Sequence, residues 1–281
     1  MALTPVGAAD RKAPIGVFDS GVGGLTVARE LARQLPNESL VYLGDTARTP
    51  YGTKAGETVT RFSLECVTHL RRYRIKALVV ACNTASAVAL PALRRQLDLP
   101  VFGVIEPGAR AAREADGGRP VGVIGTAATI ASEAYPRAVR RHDARLRVFS
   151  QACPLLVPLV EEGWLAHPVT VRVARTYLTP LLTRGIGSLI LGCTHYPALK
   201  PILAKICGKR VRLIDSAEEV AKEVSEVLGR RNMRNVSRRA GRRIFLVTDV
   251  AAPFKRVGRH LMGPAVSRVR RVRIPAEGRR V

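Results

Sequence analysis

The sequence lacks any long run of apolar residues, although 47% of its 281 residues are hydrophobic. Its most apolar stretches, such as 77–81 and 188–192, are far shorter than the roughly 20 residues that a membrane-spanning helix needs. This length and composition are typical of a globular protein with one or two domains. We therefore expect no segment that crosses a membrane.

The sequence also lacks paired cysteines. Its five cysteines are an odd number and contain no C-x-x-C pair, which argues against a disulfide framework and a zinc ribbon. The glycines of residues 19–24 do not have the dinucleotide-binding spacing G-x-G-x-x-G, and no full phosphate-loop pattern occurs. We expect reduced thiols in a cytoplasmic protein.

Acidic residues are scarce, since 22 Asp and Glu stand against 46 Lys and Arg to give a net charge of +24. Residues 229–281 hold 16 of these basic residues but only Asp249 and Glu277 as acids, which places +14 of the charge there. Such a cluster can attract phosphates. Because neither aromatic interleaving nor a recognised binding motif accompanies the arginine runs, we favour a solvated surface and keep nucleic-acid binding as a secondary role.

Short β-branched segments alternate with longer segments of helical periodicity. We predict buried strands at 15–18, 40–43, 77–80, 101–104, 121–124, 146–149, 189–191, 211–214 and 244–247. We predict helices at 25–35, 58–73, 85–97, 132–141, 169–182 and 217–228. This alternation predicts an α/β fold with mostly parallel sheets.

The first half of the chain is echoed in the second half. Residues 15–20 match 121–126 at an offset of 106, and the segment around Cys82 matches the segment around Cys193 at an offset of 111. The repeat predicts two pseudo-symmetric α/β lobes. Ligands of parallel sheets bind beyond the carboxyl ends of the strands, so we expect the active site in the cleft between the lobes.

Cys82 and Cys193 each follow a predicted strand and precede two polar residues. Across the cleft they would approach one ligand from opposite sides, as inversion of a stereocentre by proton transfer requires of its base and its acid. A helix N-terminus lowers the pKa of a thiol, which would suit this role. A lone cysteine is more often a packed core residue, and Cys153 stays ambiguous between the two interpretations.

Two further residues are candidates beside the thiols. His195 is close enough to Cys193 to assist proton movement, although it could instead be a structural histidine, and no cluster of further metal ligands accompanies it. Asp19 ends a strand and could orient a substrate or cap the following helix. A Cys/His hydrolase or transferase, which would need only one of the thiols, is an alternative function.

Six parts of the chain carry a family likeness. They are 16–25, 44–48 with 50–52, 81–86, 103–108, 153–155 with 161–163, and 192–197. Taken in this order, they resemble the signatures of the glutamate racemases in the aspartate/glutamate racemase family. The segment beyond Leu228 matches no motif of that family.

The resemblance implies a cytoplasmic, homodimeric enzyme that interconverts L- and D-glutamate for peptidoglycan synthesis without a cofactor or a metal. Cys82 would take the α-proton of D-glutamate, and Cys193 that of L-glutamate. Asp19, His195 and Glu161 would assist the thiols, with Glu162 adjoining Glu161. The substrate-binding residues that the resemblance implies are Asp19, Ser20, Tyr51, Gly52, Asn83, Thr84, Thr194 and His195.

The resemblance also implies how the chain divides. Residues 15–106 plus 216–281 would form the first lobe, and residues 107–215 the second, after a disordered N-terminal extension at 1–14. An aspartate racemase or another two-thiol racemase of the same fold is an alternative, because the depth of the pocket rather than the cysteine pair selects the length of the substrate.

Overall fold

The computed structural model describes residues 11–115, 117–266 and 268–275. Their strands are β1 (Ile15–Asp19), β2 (Leu40–Gly44), β3 (Ala77–Val80), β4 (Val101–Gly103), β5 (Val121–Gly125), β6 (Val148–Ala152), β7 (Ser188–Gly192), β8 (Arg212–Asp215), β9 (Arg243–Val247) and β10 (Val269–Arg271). They form one sheet with the order β10-β9-β2-β1-β3-β4 and a second sheet with the order β6-β5-β7-β8. Each strand runs parallel to its neighbours.

Helices connect the strands and cover the sheets. They are α1 (Leu25–Gln34), α2 (Gly56–Arg71), α3 (Asn83–Val88), α4 (Leu90–Gln96), α5 (Ile105–Ala115), α6 (Ala127–Ala131), α7 (Ala134–His142), α8 (Leu156–Glu161), α9 (Pro168–Leu182), α10 (Lys200–Cys207), α11 (Ser216–Arg230) and α12 (Ala251–Met262). Successive residues of β1 face opposite sides, so Val17 lies in one buried cluster and Phe18 in another. Both faces of the first sheet are therefore covered, which explains why its central strand is apolar throughout.

The two sheets repeat one strand order. The order β2-β1-β3-β4 of the first sheet corresponds to β6-β5-β7-β8 of the second, strand for strand along the chain. The predicted pair of pseudo-symmetric α/β lobes with parallel sheets is confirmed. The cysteines of the repeat follow β3 and β7, which are equivalent strands in this order.

Several helical segments differ from the sequence prediction. The predicted helix at 85–97 is divided into α3 and α4 near Ala89, because the ring of Pro91 cannot follow a continuous helical turn and has no N–H to donate. Helix α5 was not predicted, and neither were α6, α8, α10 and α12, although Pro107 fits within the first turn of α5. Helix α5 packs between the two lobes, against α7, α11 and β7.

The arginine-rich C-terminal segment is part of the first sheet. Strand β9 pairs with β2 from Leu40 opposite Arg243 to Gly44 opposite Val247, and β10 pairs with β9. Helix α12 packs on α1. Much of the basic charge therefore lies on elements that complete the sheet, rather than on an arm separate from it.

The predicted disordered N-terminal extension can be compared with the structure at residues 11–14, and there the two differ. Residues 1–10 of that prediction lie outside the described residues, but the carbonyl group of Arg11 accepts a hydrogen bond of 2.7 Å from Lys76 Nζ. The buried Lys76 also forms an ion pair of 2.6 Å with Glu38. Residues 11–14 are thus attached to the first lobe. Among the described residues, no helix is long and apolar enough to cross a membrane.

Candidate active site

The carboxyl ends of the two sheets meet at the cleft between the lobes. Asp19 ends β1 and Cys82 follows β3 in the first sheet, whereas Thr126 follows β5 and Cys193 follows β7 in the second. The hydroxyl groups of Thr84 and Thr126 lie 3.1 Å apart across the cleft. Residues 42 positions apart in the chain are therefore neighbours at this site.

Cys82 is the N-cap residue of α3. Its sulfur accepts a hydrogen bond of 3.5 Å from the backbone N–H of Ala85 and lies 3.5 Å from Ser20 Oγ. The residue is only 6% exposed. Burial and the negative charge of Asp19 raise the pKa of the Cys82 thiol to about 12, although both hydrogen bonds oppose this shift.

A lowered pKa was expected at this position, and that expectation is wrong for Cys82. Helix α3 has six residues, and it directs one backbone N–H towards the sulfur. This single donor does not compensate for the loss of water around a thiolate or for the repulsion from Asp19. Cys82 is therefore held as a neutral thiol in the protein without a ligand.

Cys193 has a different partner. Its sulfur lies 3.8 Å from Nδ1 of His195, and Nε2 of the same ring lies 2.9 Å from Oε1 of Glu161. Burial lowers the pKa of His195, but the hydrogen bonds with Cys193 and Glu161 outweigh it and raise the pKa to about 10. The imidazole ring is thus held as a cation beside the Cys193 sulfur.

The structure separates the two adjacent glutamates. The hydrogen bond with His195 lowers the pKa of the Glu161 carboxyl, although burial opposes this shift. Glu162 instead lies 4.0 Å from the guanidinium of Arg256 on α12, and its side chain is 65% exposed. Glu161 is therefore the carboxylate that contacts the histidine beside Cys193.

Asp19 is buried at the end of β1 and lies close to Cys82. Its Oδ2 accepts a hydrogen bond of 2.9 Å from the backbone N–H of Gly21. Burial raises the pKa of its carboxyl, although this N–H and the charge of His195 oppose the shift. Helix α1 has Gly24 as its N-cap, with no side-chain hydrogen bond, so the interpretation of Asp19 as a helix cap does not hold.

Tyr51 and Gly52 lie in a 3₁₀ turn at the edge of the cleft. The Tyr51 hydroxyl donates a hydrogen bond of 2.5 Å to Asp45, whose carboxylate also pairs with Arg48 at 2.7 Å. A Cβ at Gly52 would lie 2.8 Å from Cβ of Thr126 in the second lobe. The Tyr51 side chain thus anchors the turn to Asp45, while Gly52 allows the turn to approach the other lobe.

The other predicted binding residues lie at the same cleft. Ser20 adjoins Cys82, and Thr84 contacts the hydroxyl of Thr126. Asn83 and Thr194 line one small enclosed space together with Cys193. All the site residues that the sequence predicted are brought together between the lobes. Cys66 and Cys207 are buried outside this group, as expected of packing residues.

Sequence reasoning missed several contacts between the lobes. The Thr26 hydroxyl donates a hydrogen bond of 2.9 Å to the carbonyl group of Thr194. A Cβ at Gly23 would lie 2.4 Å from the Thr194 hydroxyl oxygen, so only glycine lets these segments touch. Thr126 was also missed, although the internal repeat pairs it with Ser20 and could have indicated it.

Comparison with known proteins assigns this arrangement to a family. Residues 15–224 match the family described as Asp/Glu/hydantoin racemase. A glutamate racemase from Geobacter metallireducens is 51% identical over 94% of this chain and 97% of its own length. The chain belongs to this racemase family. The resemblance inferred from the sequence motifs is thereby confirmed.

Solved structures of racemases have the same fold. The chain resembles a glutamate racemase from Bacillus anthracis with a TM-score of 0.91 and 42% identity, covering 95% of this chain and 100% of that one. It resembles a glutamate racemase from Francisella tularensis in complex with D-glutamate with a TM-score of 0.88 and 36% identity, covering 94% and 98%. The likeness to these racemases extends over nearly the whole chain.

Proposed function

We propose that this racemase interconverts L- and D-glutamate by two-base proton transfer between Cys82 and Cys193. The observation that carries the proposal is the presence of two thiols on opposed lobes, each at the end of an equivalent strand. They are close enough for the charge of Cys193 to affect the pKa of Cys82. The similarity to glutamate racemases over more than nine tenths of the chain supports glutamate as the substrate.

The charges beside the thiols favour one starting state. Cys193 acts as the base on L-glutamate, because the cationic ring of His195 lies beside its sulfur. Cys82 acts as the acid, since it is held as a neutral thiol. Cys193 takes the α-proton from one face of the carbon and Cys82 delivers its own proton to the other. The step ends with a thiol at Cys193 and a thiolate at Cys82.

The reverse reaction requires a thiolate at Cys82, which the Asp19 carboxylate opposes. A bound amino acid carries an ammonium group, and we assign Asp19 as its partner at the cleft. Ion pairing neutralises much of the charge that acts on Cys82, so the thiol loses its proton more readily when substrate is bound. Asp19 thereby both orients the substrate and adjusts the acidity of Cys82.

Polar groups around the thiols suit the two carboxylates of glutamate. Ser20, Asn83, Thr84 and Thr194 supply hydroxyl and amide donors, and the turn at Tyr51 and Gly52 closes one edge of the site. The two cysteines are each only 6% exposed, so little water reaches either sulfur. We also propose that the enzyme is cytoplasmic and homodimeric, that it needs no cofactor, and that it supplies D-glutamate for peptidoglycan.

The deciding experiment follows solvent deuterium into the product. Purified protein without added cofactor is incubated with D-glutamate in deuterated water, and the two enantiomers are separated and weighed by mass spectrometry. L-glutamate should form and carry one deuterium at Cα from its first appearance, because a separate thiol delivers the proton to the second face. The unreacted D-glutamate should remain unlabelled at early times.

Two outcomes would overturn the proposal. Unlabelled L-glutamate would exclude proton delivery from an exchangeable group. Faster turnover of D-aspartate than of D-glutamate, measured in parallel, would assign the alternative substrate. A hydrolase or transferase that uses one nucleophilic thiol would produce neither inversion nor label at Cα.

A further inference from the structure

Tyr135 of the second lobe reaches the residue next to the first-lobe thiol. Its hydroxyl donates a hydrogen bond of 2.6 Å to Oδ1 of Asn83, which directly follows Cys82. The same hydroxyl lies 2.9 Å from Oγ of Ser216. Tyr135 and Asn83 are 1% and 4% exposed, so water does not compete for this bond.

The Tyr135 ring has little freedom to move. A Cβ at Gly192 would lie 3.0 Å from the ring, and a Cβ at Gly108 would lie 3.5 Å from it. The absence of side chains at these two positions leaves a slot between β7 and α5 that the ring fills. Burial raises the pKa of the Tyr135 hydroxyl, so it stays protonated and can donate.

The bond fixes which end of the Asn83 amide is used. A carboxamide has one acceptor oxygen and an NH₂ group with two donors. Because the Tyr135 hydroxyl occupies Oδ1, the NH₂ group is turned away from Tyr135. Asn83 directly follows Cys82 at the start of α3, at the cleft between the lobes, where donor groups suit an anionic ligand.

We propose that Tyr135 is a positioning residue, which holds the Asn83 amide so that its NH₂ group binds a substrate carboxylate. The inference rests on the proposed function, because it assigns the ligand of Asn83 as the amino acid. Without the Tyr135 hydroxyl the amide can rotate by half a turn, and it then presents its oxygen to the carboxylate. The second lobe thus sets the binding group of the first.

Replacement of Tyr135 by Phe removes the hydroxyl and keeps the ring. The KM for glutamate should rise by about tenfold while kcat changes by less than about threefold, because the lost contact serves substrate and transition state alike. Ser216→Ala is the matched control, since it removes the other partner of the Tyr135 hydroxyl. Its KM should stay within about twofold of the wild-type value.

A double-mutant cycle tests whether Tyr135 acts through Asn83. In an Asn83→Ala background, Tyr135→Phe should change KM no further, because the amide it positions is gone. Asn83→Asp gives an independent measurement, since it keeps an acceptor for Tyr135 but has no NH₂ group. Its KM should rise at least as much as that of Tyr135→Phe, with thermal unfolding used to show that each variant is folded.

Each outcome decides the inference. An unchanged KM in Tyr135→Phe or in Asn83→Asp would overturn it. So would losses that multiply in the double variant, because they would show a structural role of Tyr135 that is independent of Asn83. Measurements on the wild-type protein distinguish a failure of this inference from a failure of the proposed function. If the proposed function were wrong, the wild-type protein itself would not racemise glutamate.

Discussion

Cys82 and Cys193 lie at equivalent places in the two lobes, and their charged neighbours have opposite sign. Each cysteine follows a buried parallel strand that pairs with the first strand of its own lobe. The Cys82 thiol is affected by the carboxylate of Asp19, whereas Cys193 lies beside the cationic ring of His195. The internal repeat therefore places the sulfurs symmetrically but surrounds them with different charges.

The difference shows that backbone symmetry does not make the two thiols equivalent. A carboxylate disfavours a thiolate at Cys82, whereas the ring beside Cys193 is cationic. In the proposed reaction, the neutral Cys82 thiol is ready to act as the acid on L-glutamate. For D-glutamate, the substrate ammonium must first offset Asp19. The following predictions test this asymmetry.

Removal of either thiol should have the largest effect. Cys82→Ala and Cys193→Ala should each lower the kcat of racemisation by about 10²–10⁴-fold in both directions, because each step needs both an acid and a base. Cys207→Ala is the control, since that buried cysteine lies outside the cleft. The rates come from polarimetry and the folding check from circular dichroism. Full activity in either active-site variant would refute the two-base assignment.

Removal of the charge of Asp19 should make the two thiols more alike. Asp19→Asn should lower the pKa of the Cys82 thiol below about 12, but not to its usual range, because burial is the larger cause. Activity should fall by roughly 10- to 100-fold through loss of the ammonium partner. The pH dependence of alkylation, located at Cys82 by mass spectrometry, gives the pKa.

The matched control is Asp143→Asn, a partly exposed carboxylate of the second lobe that pairs with Arg145. This variant should leave both the alkylation profile and the activity unchanged. If Asp19→Asn also left the alkylation profile of Cys82 unchanged, the charge of Asp19 would not be the source of the asymmetry.

The two adjacent glutamates offer the most selective test. Loss of the Glu161 carboxylate should lower the pKa of His195 from about 10. The alkaline limb of the pH profile of activity on L-glutamate should therefore move down by about one pH unit. Below this limb the histidine remains protonated and activity persists. Glu162→Gln should keep the wild-type profile, because Glu162 faces Arg256. Equal shifts in the two variants would contradict the assignment of Glu161.

The sequence predicted most of the site because its residues stand in short segments that follow strands. Cys82, Cys193 and Asp19 could each be placed at a strand end from local patterns alone. Glu161 could not be distinguished from Glu162 in this way, since adjacent residues on a short helix differ only in the direction they face. Tyr135 was not predicted, because nothing in its own helix indicates a partner 52 residues earlier in the chain.

The pKa of the Cys82 thiol was also not predicted correctly. The pattern around Cys82 suggested a helix N-terminus and thus a lowered pKa. The actual pKa depends on how much water is excluded and on the distance to a carboxylate from another strand. Both quantities arise only when β1 and β3 become neighbours in the sheet.

The sequence by itself determined the alternation of strands and helices, the repeat of two lobes and the positions of the thiols. Periodicity and composition are local properties of the sequence, and the fold class follows directly from them. Only the tertiary structure decided which glutamate contacts His195, that the pKa of Cys82 is raised and which lobe supplies the hydrogen bond to Asn83. Those outcomes depend on distances and burial between segments far apart in the chain, and the order of residues along a chain does not contain such distances explicitly.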